Sequence, residues 1–270
     1  MRKKDFLSAV VLCFIFFTSC SSSVVEMGPK KEVAEHIEKT IEIKEHLDLF
    51  VDADSSNIEF YTWDKGKVKF EIKNRVRGMG EKKELESKLK NFDINLSQDG
   101  NMVVYKARYG KSIKSHGDIS SDIRIFIPKN AESVGCKVGT GTIKVLDDLK
   151  SSLNIEVDMA NIEVRRLEGK LKVKGDMGNL KVENGKIRSD SKVSVNFGNI
   201  DIKAEFEERG NYVFETRTGN IDLQLPEESR ISFENMGTVE VNDFTDKNYP
   251  AKIKTSTDMG RITIKKYKFL

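Results

Sequence analysis

Seven copies of one short phrase run through the second half of the chain: GTGTIKV (139–145), DMANIEV (158–164), DMGNLKV (176–182), NFGNIDI (196–202), RTGNIDL (217–223), NMGTVEV (235–241) and DMGRITI (258–264). Aligned on their small residue, they sit at Gly141, Ala160, Gly178, Gly198, Gly219, Gly237 and Gly260, in nearly even steps. A period of roughly 20 residues limits the possible folds to stacked repeat architectures, in which each unit buries its apolar face only against its neighbours.

Numbered from the small residue, positions +2 and +4 are apolar in every copy, as in Ile162/Val164, Leu180/Val182 and Ile200/Ile202, while +3 is polar or charged. This is the period-two pattern of a strand with one buried face. A second strand precedes each corner, with inward positions such as Val134/Cys136/Val138 and Leu153/Ile155/Val157. Glycine at the corner supplies positive φ, and Ala160 predicts one corner without it. By the same alternation Met159, Met177, Met236 and Met259 at −1 are expected to stack inward as core. Asn161, Asn179, Asn199 and Asn220 at +1 predict a stacked amide ladder. Position +3 predicts an outward ladder of alternating sign through Lys144, Glu163, Lys181 and Asp201, followed by a like-charged run of Asp201, Asp222 and Glu240.

The pattern predicts an all-β solenoid with coils of about 18–23 residues. The regular coils are expected over 134–270. Positions 38–133 read as an irregular N-terminal cap with the first coils, continuous with the rest as one domain. They hold an eighth, divergent copy at Asp54–Phe60 and one inserted amphipathic helix at 81–92, carried by Leu85, Leu89 and Phe92. Asp99-Gly100 predicts a hairpin turn. The segment 106–117 reads as a basic surface loop. The lysines after the last copy (Lys265, Lys266, Lys268) are expected to block edge-to-edge growth of a final strand.

The N-terminus specifies a compartment. Met1-Arg2-Lys3-Lys4 precedes an apolar run from Phe6 to Phe17 and then Thr18-Ser19-Cys20, the plan of a cleaved export signal over 1–19. Phe17-Thr18-Ser19-Cys20 is similar to a bacterial lipobox, which makes Cys20 the lipidated residue. The segment 20–37 then reads as a flexible tether. The expected location is the cell envelope, with the protein held to a membrane through lipid on Cys20.

The chain carries 46 basic and 43 acidic residues. Arg2, Lys3, Lys4 and Asp5 fall within 1–19, which leaves 43 and 42, a net charge of +1. Nothing in that balance calls for nucleic acid as a partner. With Cys13 in the signal and Cys20 lipidated, Cys136 stands alone and no intramolecular disulfide is expected.

The lipobox, Ser56–Asp64 (SNIEFYTWD), Ile123–Ala131 (IRIFIPKNA) and the repeated Gly-Asn-Ile-Asp together resemble the bacterial "putative adhesin" domain family of unknown function. The resemblance covers about 38–264. It implies a single-stranded right-handed parallel β-helix, often exported, with no catalytic residues to carry over. Ala160 at a corner and Ser56 in the early copy depart from its pattern.

No catalytic, cofactor or metal residues are expected: His36, His46 and His116 are scattered, and none shares a repeat position with a carboxylate. The expected function is non-enzymatic adhesion or binding, with a glycan, an envelope protein or a second copy as partner. One alternative is a polysaccharide-active lyase or glycoside hydrolase using Asp158 and Asp176, one repeat apart. Asp is also an ordinary turn residue at that position. The other alternative is a structural envelope-assembly protein.

Overall fold

A computed structural model describes residues 22–27, 30–110, 117–245 and 248–268. In chain order the elements are β1 (Ser22–Met27), β2 (Lys30–Glu42), β3 (Leu47–Trp63), β4 (Lys67–Gly78), α1 (Lys82–Leu89), β5 (Phe92–Asp99), β6 (Met102–Tyr109), β7 (Gly117–Pro128), β8 (Ala131–Leu149), β9 (Ser152–Gly169), β10 (Leu171–Met177), β11 (Leu180–Val182), β12 (Gly185–Ile187), β13 (Ser191–Phe197), β14 (Ile200–Lys203), β15 (Glu205–Phe206), β16 (Gly210–Thr218), β17 (Ile221–Pro226), β18 (Ile231–Asn242) and β19 (Ala251–Tyr267).

Among the described residues, hydrogen bonding links nineteen strands into one sheet. The body is a closed eight-stranded parallel barrel with outer strands and one helix. This overturns the right-handed parallel β-helix, or β-solenoid, expected from the repeat. The period specifies which residues pair between neighbouring strands, and that register is present: Val157 lies opposite Gly175, Ile162 opposite Leu180 and Ile200 opposite Ile221. The way a sheet closes depends on strand length, bend and order, none of which the period encodes.

Two further features depart from a simple sequential stack. In the N-terminal half, β1–β2, β2–β4, β4–β7 and β5–β6 pair antiparallel. At the other end chain order and spatial order differ. β19 pairs with β16 and β17 on one side and with β18 on the other. The copy at Gly237 therefore lies outside the copy at Gly260, and β18 covers β19 only as far as Ile264, short of Lys265 and Lys266.

Alternation builds the core. Leu153, Ile155, Val157, Ile162, Val164 and Leu167 of β9 are buried with their counterparts above and below, in one cluster that runs from β3 to β19. Each such side chain stabilises the fold by roughly 1.5–3 kcal/mol relative to exposure. Inward hydroxyls replace methyls at two corners, where Thr216 Oγ1 donates to the Gly198 carbonyl and Thr257 Oγ1 to the Gly219 carbonyl, both at 2.9 Å.

The inserted helix is present as α1, shorter than 81–92. Leu85 and Leu89 are buried against Val33 and Val76 in a separate small cluster. Phe92 begins β5 instead, yet it packs on the same cluster. The β5–β6 hairpin turns through Gly100 and Asn101, between the paired residues Asp99 and Met102. The divergent early copy pairs in register with the first regular one, Ser56 opposite Gly141 and Ile58 opposite Ile143.

The segment 20–37, expected as a tether, carries β1 and the start of β2. Val33 is buried beneath α1, Ile37 and Ile41 pack on the main core, and β2 pairs along its length with β4. Of the expected loop at 106–117, residues 106–109 extend β6 and residue 117 opens β7, while 111–116 lie outside the described residues. The export signal, Cys20 and His116 also lie outside them.

A candidate binding groove along the glycine corners

Each repeat bends at its small residue. Gly178 has φ 142°, and a Cβ there would sit 1.8 Å from the carbonyl oxygen of Ala160, the corner below. Glycine is therefore demanded both by the backbone angle and by the close approach of successive corners. Ala160 is not among the positive-φ residues, as its side chain requires.

The bend breaks the in–out alternation, and this corrects the placement of the methionines. In β9 the sequence of burial is Val157 in, Asp158 and Met159 out, Ala160 in. Met159, Met177, Phe197 and Met259 are 52%, 48%, 48% and 68% exposed, and Met236 is 56% exposed. The expectation of an inward methionine stack assumed that parity continues through the corner, whereas the corner resets it.

Register then aligns these side chains. Met159 lies opposite Met177, Met177 opposite Phe197, Phe197 opposite Thr218, and Thr218 opposite Met259. The result is an apolar row running across the strands on the open surface. The amide ladder forms its other bank. The side-chain oxygen of Asn161 accepts from the Asn179 N–H at 2.9 Å, Asn179 from Asn199 at 2.9 Å, Asn199 from Asn220 at 2.8 Å, and Asn220 from Arg261 at 3.0 Å. The predicted four-asparagine ladder is thus present. It continues through Thr142 Oγ1, which donates to Asn57 Oδ1 at 3.0 Å. Between the banks, over Gly141, Ala160, Gly178 and Gly198, runs an open groove of about 500 Å³. Its chemistry is that of a neutral trough: thioether and phenyl on one side, carboxamide on the other.

The candidate acid pair stands on the apolar bank. Register places Asp158 and Asp176 side by side, and both are exposed. Asn196 Nδ2 donates to the Asp176 carboxylate at 2.7 Å, as a turn-position amide does.

The outward charges follow the expected ladder in part. Lys144 Nζ lies 2.9 Å from Glu163 Oε2, and Lys181 lies in register between Glu163 and Asp201 but makes its short contact, 2.8 Å, to Glu183. The expected run of three acids is broken because β19 intervenes. Asp201 faces Asp222, Asp222 faces Thr263, and Glu240 sits 3.4 Å from Arg261 Nη1. Burial, and then the Asp222 charge, hold the Asp201 carboxyl above its ordinary value. The Cys136 thiol is fully buried, and burial pushes its pKa up, which makes it an inert core residue.

The structure also joins residues that the sequence left apart. His46, Asp48 and Glu132 bring one ligand atom each to within 4.8 Å of one another. His46 Nδ1 is 3.7 Å from Glu132 Oε1, and His46 Nε2 is 3.3 Å from Asn101 Nδ2. Ser133 Oγ donates to Asp48 Oδ1. Glu132 also walls a cavity of about 300 Å³ with Lys129, Lys150, Ser151 and Arg188. The one sequence signal for this cluster is His46-x-Asp48, two donors on the same face at strand spacing. Glu132, far along the chain from both, gives none.

No protein-family model matches the chain, and no curated protein does. Among solved structures, it is similar to a "putative adhesin" from Bacteroides fragilis (14% identity, 86% of this chain and 97% of that one, TM-score 0.36). It is also similar to a "putative cell adhesion protein" from Clostridium sporogenes (14%, 87% and 100%, 0.32) and a "putative lipid binding protein" from Parabacteroides distasonis (16%, 86% and 97%, 0.32). Likeness at this level is too slight to transfer an architecture or an activity.

Proposed function

We propose that the chain is a non-enzymatic, exported binding protein, anchored to the cell envelope through lipid on Cys20, whose groove along the corners holds an extended partner. The observation that carries this reading is the exposed row Met159–Met177–Phe197, bounded in register by the asparagine ladder. Large apolar side chains set side by side on a surface mark interaction sites, whereas isolated ones do not. The row offers an apolar face and the ladder's carboxamides offer polar contacts. That pairing suits a polymer with both characters, such as a glycan chain or an extended envelope peptide.

The experiment is a glycan array and an envelope-peptide panel probed with the full chain and with Met177→Ser/Phe197→Ser. Binding that the double variant loses supports the groove. Turnover of any polysaccharide, abolished by Asp158→Asn or Asp176→Asn, contradicts the non-enzymatic reading. Anchoring is tested separately by Cys20→Ala, which is expected to release the protein from membranes; unchanged membrane retention contradicts the lipid anchor.

A second reading, envelope assembly, rests on β18. Among the described residues its outer edge pairs with no other strand, and it exposes Met236 and Val239. Exposed edges of this kind are templates for another chain. Concentration-dependent sedimentation abolished by Val239→Lys supports it, and a monomer at all concentrations contradicts it.

A further inference from the structure

We propose that His46, Asp48 and Glu132 form a binding site for a divalent transition metal of the zinc class, at the start of β3 and β8. Three features of the fold build it. His46 and Asp48 flank Leu47, which is wholly buried, so the core contact of Leu47 turns both neighbours to the outer face. Glu132 is an inserted residue: Leu47 pairs with Ala131 and Asp48 with Ser133, which leaves Glu132 without a partner in the ladder. Such a bulge re-aims a side chain, and here it brings the Glu132 carboxylate to His46. Asp48 is fixed in turn, through its N–H to the Asn101 carbonyl at 3.0 Å and by the Ser133 hydroxyl.

Asn101 also orients the imidazole. Its amide lies 3.3 Å from His46 Nε2. The nitrogen and oxygen of an amide are interchangeable by a half-turn, and with the oxygen inward it accepts the Nε2 proton. Nδ1 then presents its lone pair toward Glu132, the arrangement that metal-bound histidines adopt when an outer partner holds the other ring nitrogen. Bonds of roughly 2.0–2.2 Å place tetrahedral ligand atoms roughly 3.4 Å apart. The donors stand within 4.8 Å of one another, and Glu132, with its side chain 64% exposed, is free to move in by the remaining ångström or so. One imidazole with two carboxylates suits zinc, cobalt or nickel more than calcium, which takes six to eight oxygens. Three protein ligands leave a coordination position open to solvent or to a ligand atom.

The test is titration of the chelator-stripped full chain with Zn²⁺, and with Co²⁺ followed by its visible absorption. The expected result is one equivalent bound, with affinity reduced at least about tenfold in each of His46→Gln, Asp48→Asn and Glu132→Gln, and unchanged in His36→Gln. Glu132→Gln alters an exposed side chain, so its metal-free thermal unfolding should match the wild type and separate lost ligation from lost folding. Zn²⁺ should raise the unfolding temperature of the wild type and not that of the variant. Absence of stoichiometric binding, or binding that survives His46→Gln, overturns the proposal. So does Ca²⁺ binding as tightly as Zn²⁺ and indifferently to His46.

Discussion

The backbone N–H of Asn199 donates to the side-chain oxygen of Asn179, 2.9 Å away and one repeat below. The Asn179 amide itself donates to Asn161 Oδ1 at 3.2 Å, so one side chain binds the corner on either side of it. These bonds satisfy backbone groups that the bend removes from the regular ladder. Asn179→Ala should cost roughly 0.5–1.5 kcal/mol, because the site is exposed and water replaces part of what is lost. Hydrogen exchange at the Asn199 amide should accelerate, while amides in the buried stretch of β13 keep their protection. Unchanged exchange at Asn199 contradicts a structural role for the ladder.

Gly178 and Ala160 occupy equivalent corners with opposite demands. A methyl at Gly178 meets the Ala160 carbonyl oxygen at 1.8 Å with φ at 142°. Gly178→Ala should therefore destabilise by about 3 kcal/mol or more. Ala160→Gly, at a corner without positive φ, should cost only roughly 0.5–1 kcal/mol. Chemical denaturation of the two variants checks the contrast, and equal costs contradict it.

Asp201 gives the fold a pH dependence of known sign. Its folded carboxyl is held above the ordinary value, first by burial and then by Asp222, so the folded state keeps the proton to higher pH than the unfolded chain. Its contribution to stability declines as pH rises from the ordinary carboxylate range through the folded pKa, and the penalty is complete above that. Asp201→Asn should raise stability at neutral pH by roughly 0.2–1 kcal/mol. The gain should vanish below about pH 3, where both states are protonated. A gain that persists in acid contradicts the assignment.

What the sequence revealed and what it concealed have separate physical origins. Pairing register, corner glycines and the asparagine ladder are local consequences of a repeat, since the same residue meets its own counterpart one period away. The Ala160 corner, the α1 helix and the hairpin at Gly100 were legible for the same local reason. Closure of the sheet was not, because a parallel register that steps by one repeat leaves open how the bent strands curve around. The outward methionines were not legible either, because the bend resets the alternation that holds on each side of it. Asp222 and Glu240 are neighbours in repeat order but not in space, because β19 inserts between them. The His46–Glu132 contact depends on a bulge visible only once β3 and β8 are aligned.

The most direct test of the central claim is the affinity of the full chain and of Met177→Ser/Phe197→Ser for the same glycan and peptide panel. Both side chains are about half exposed, so the double variant should fold as the wild type does. The account predicts at least one panel member that binds the wild type and is weakened tenfold or more, about 1.4 kcal/mol, by the double variant. Equal binding by both proteins, or none by the wild type, would contradict a functional groove along the glycine corners.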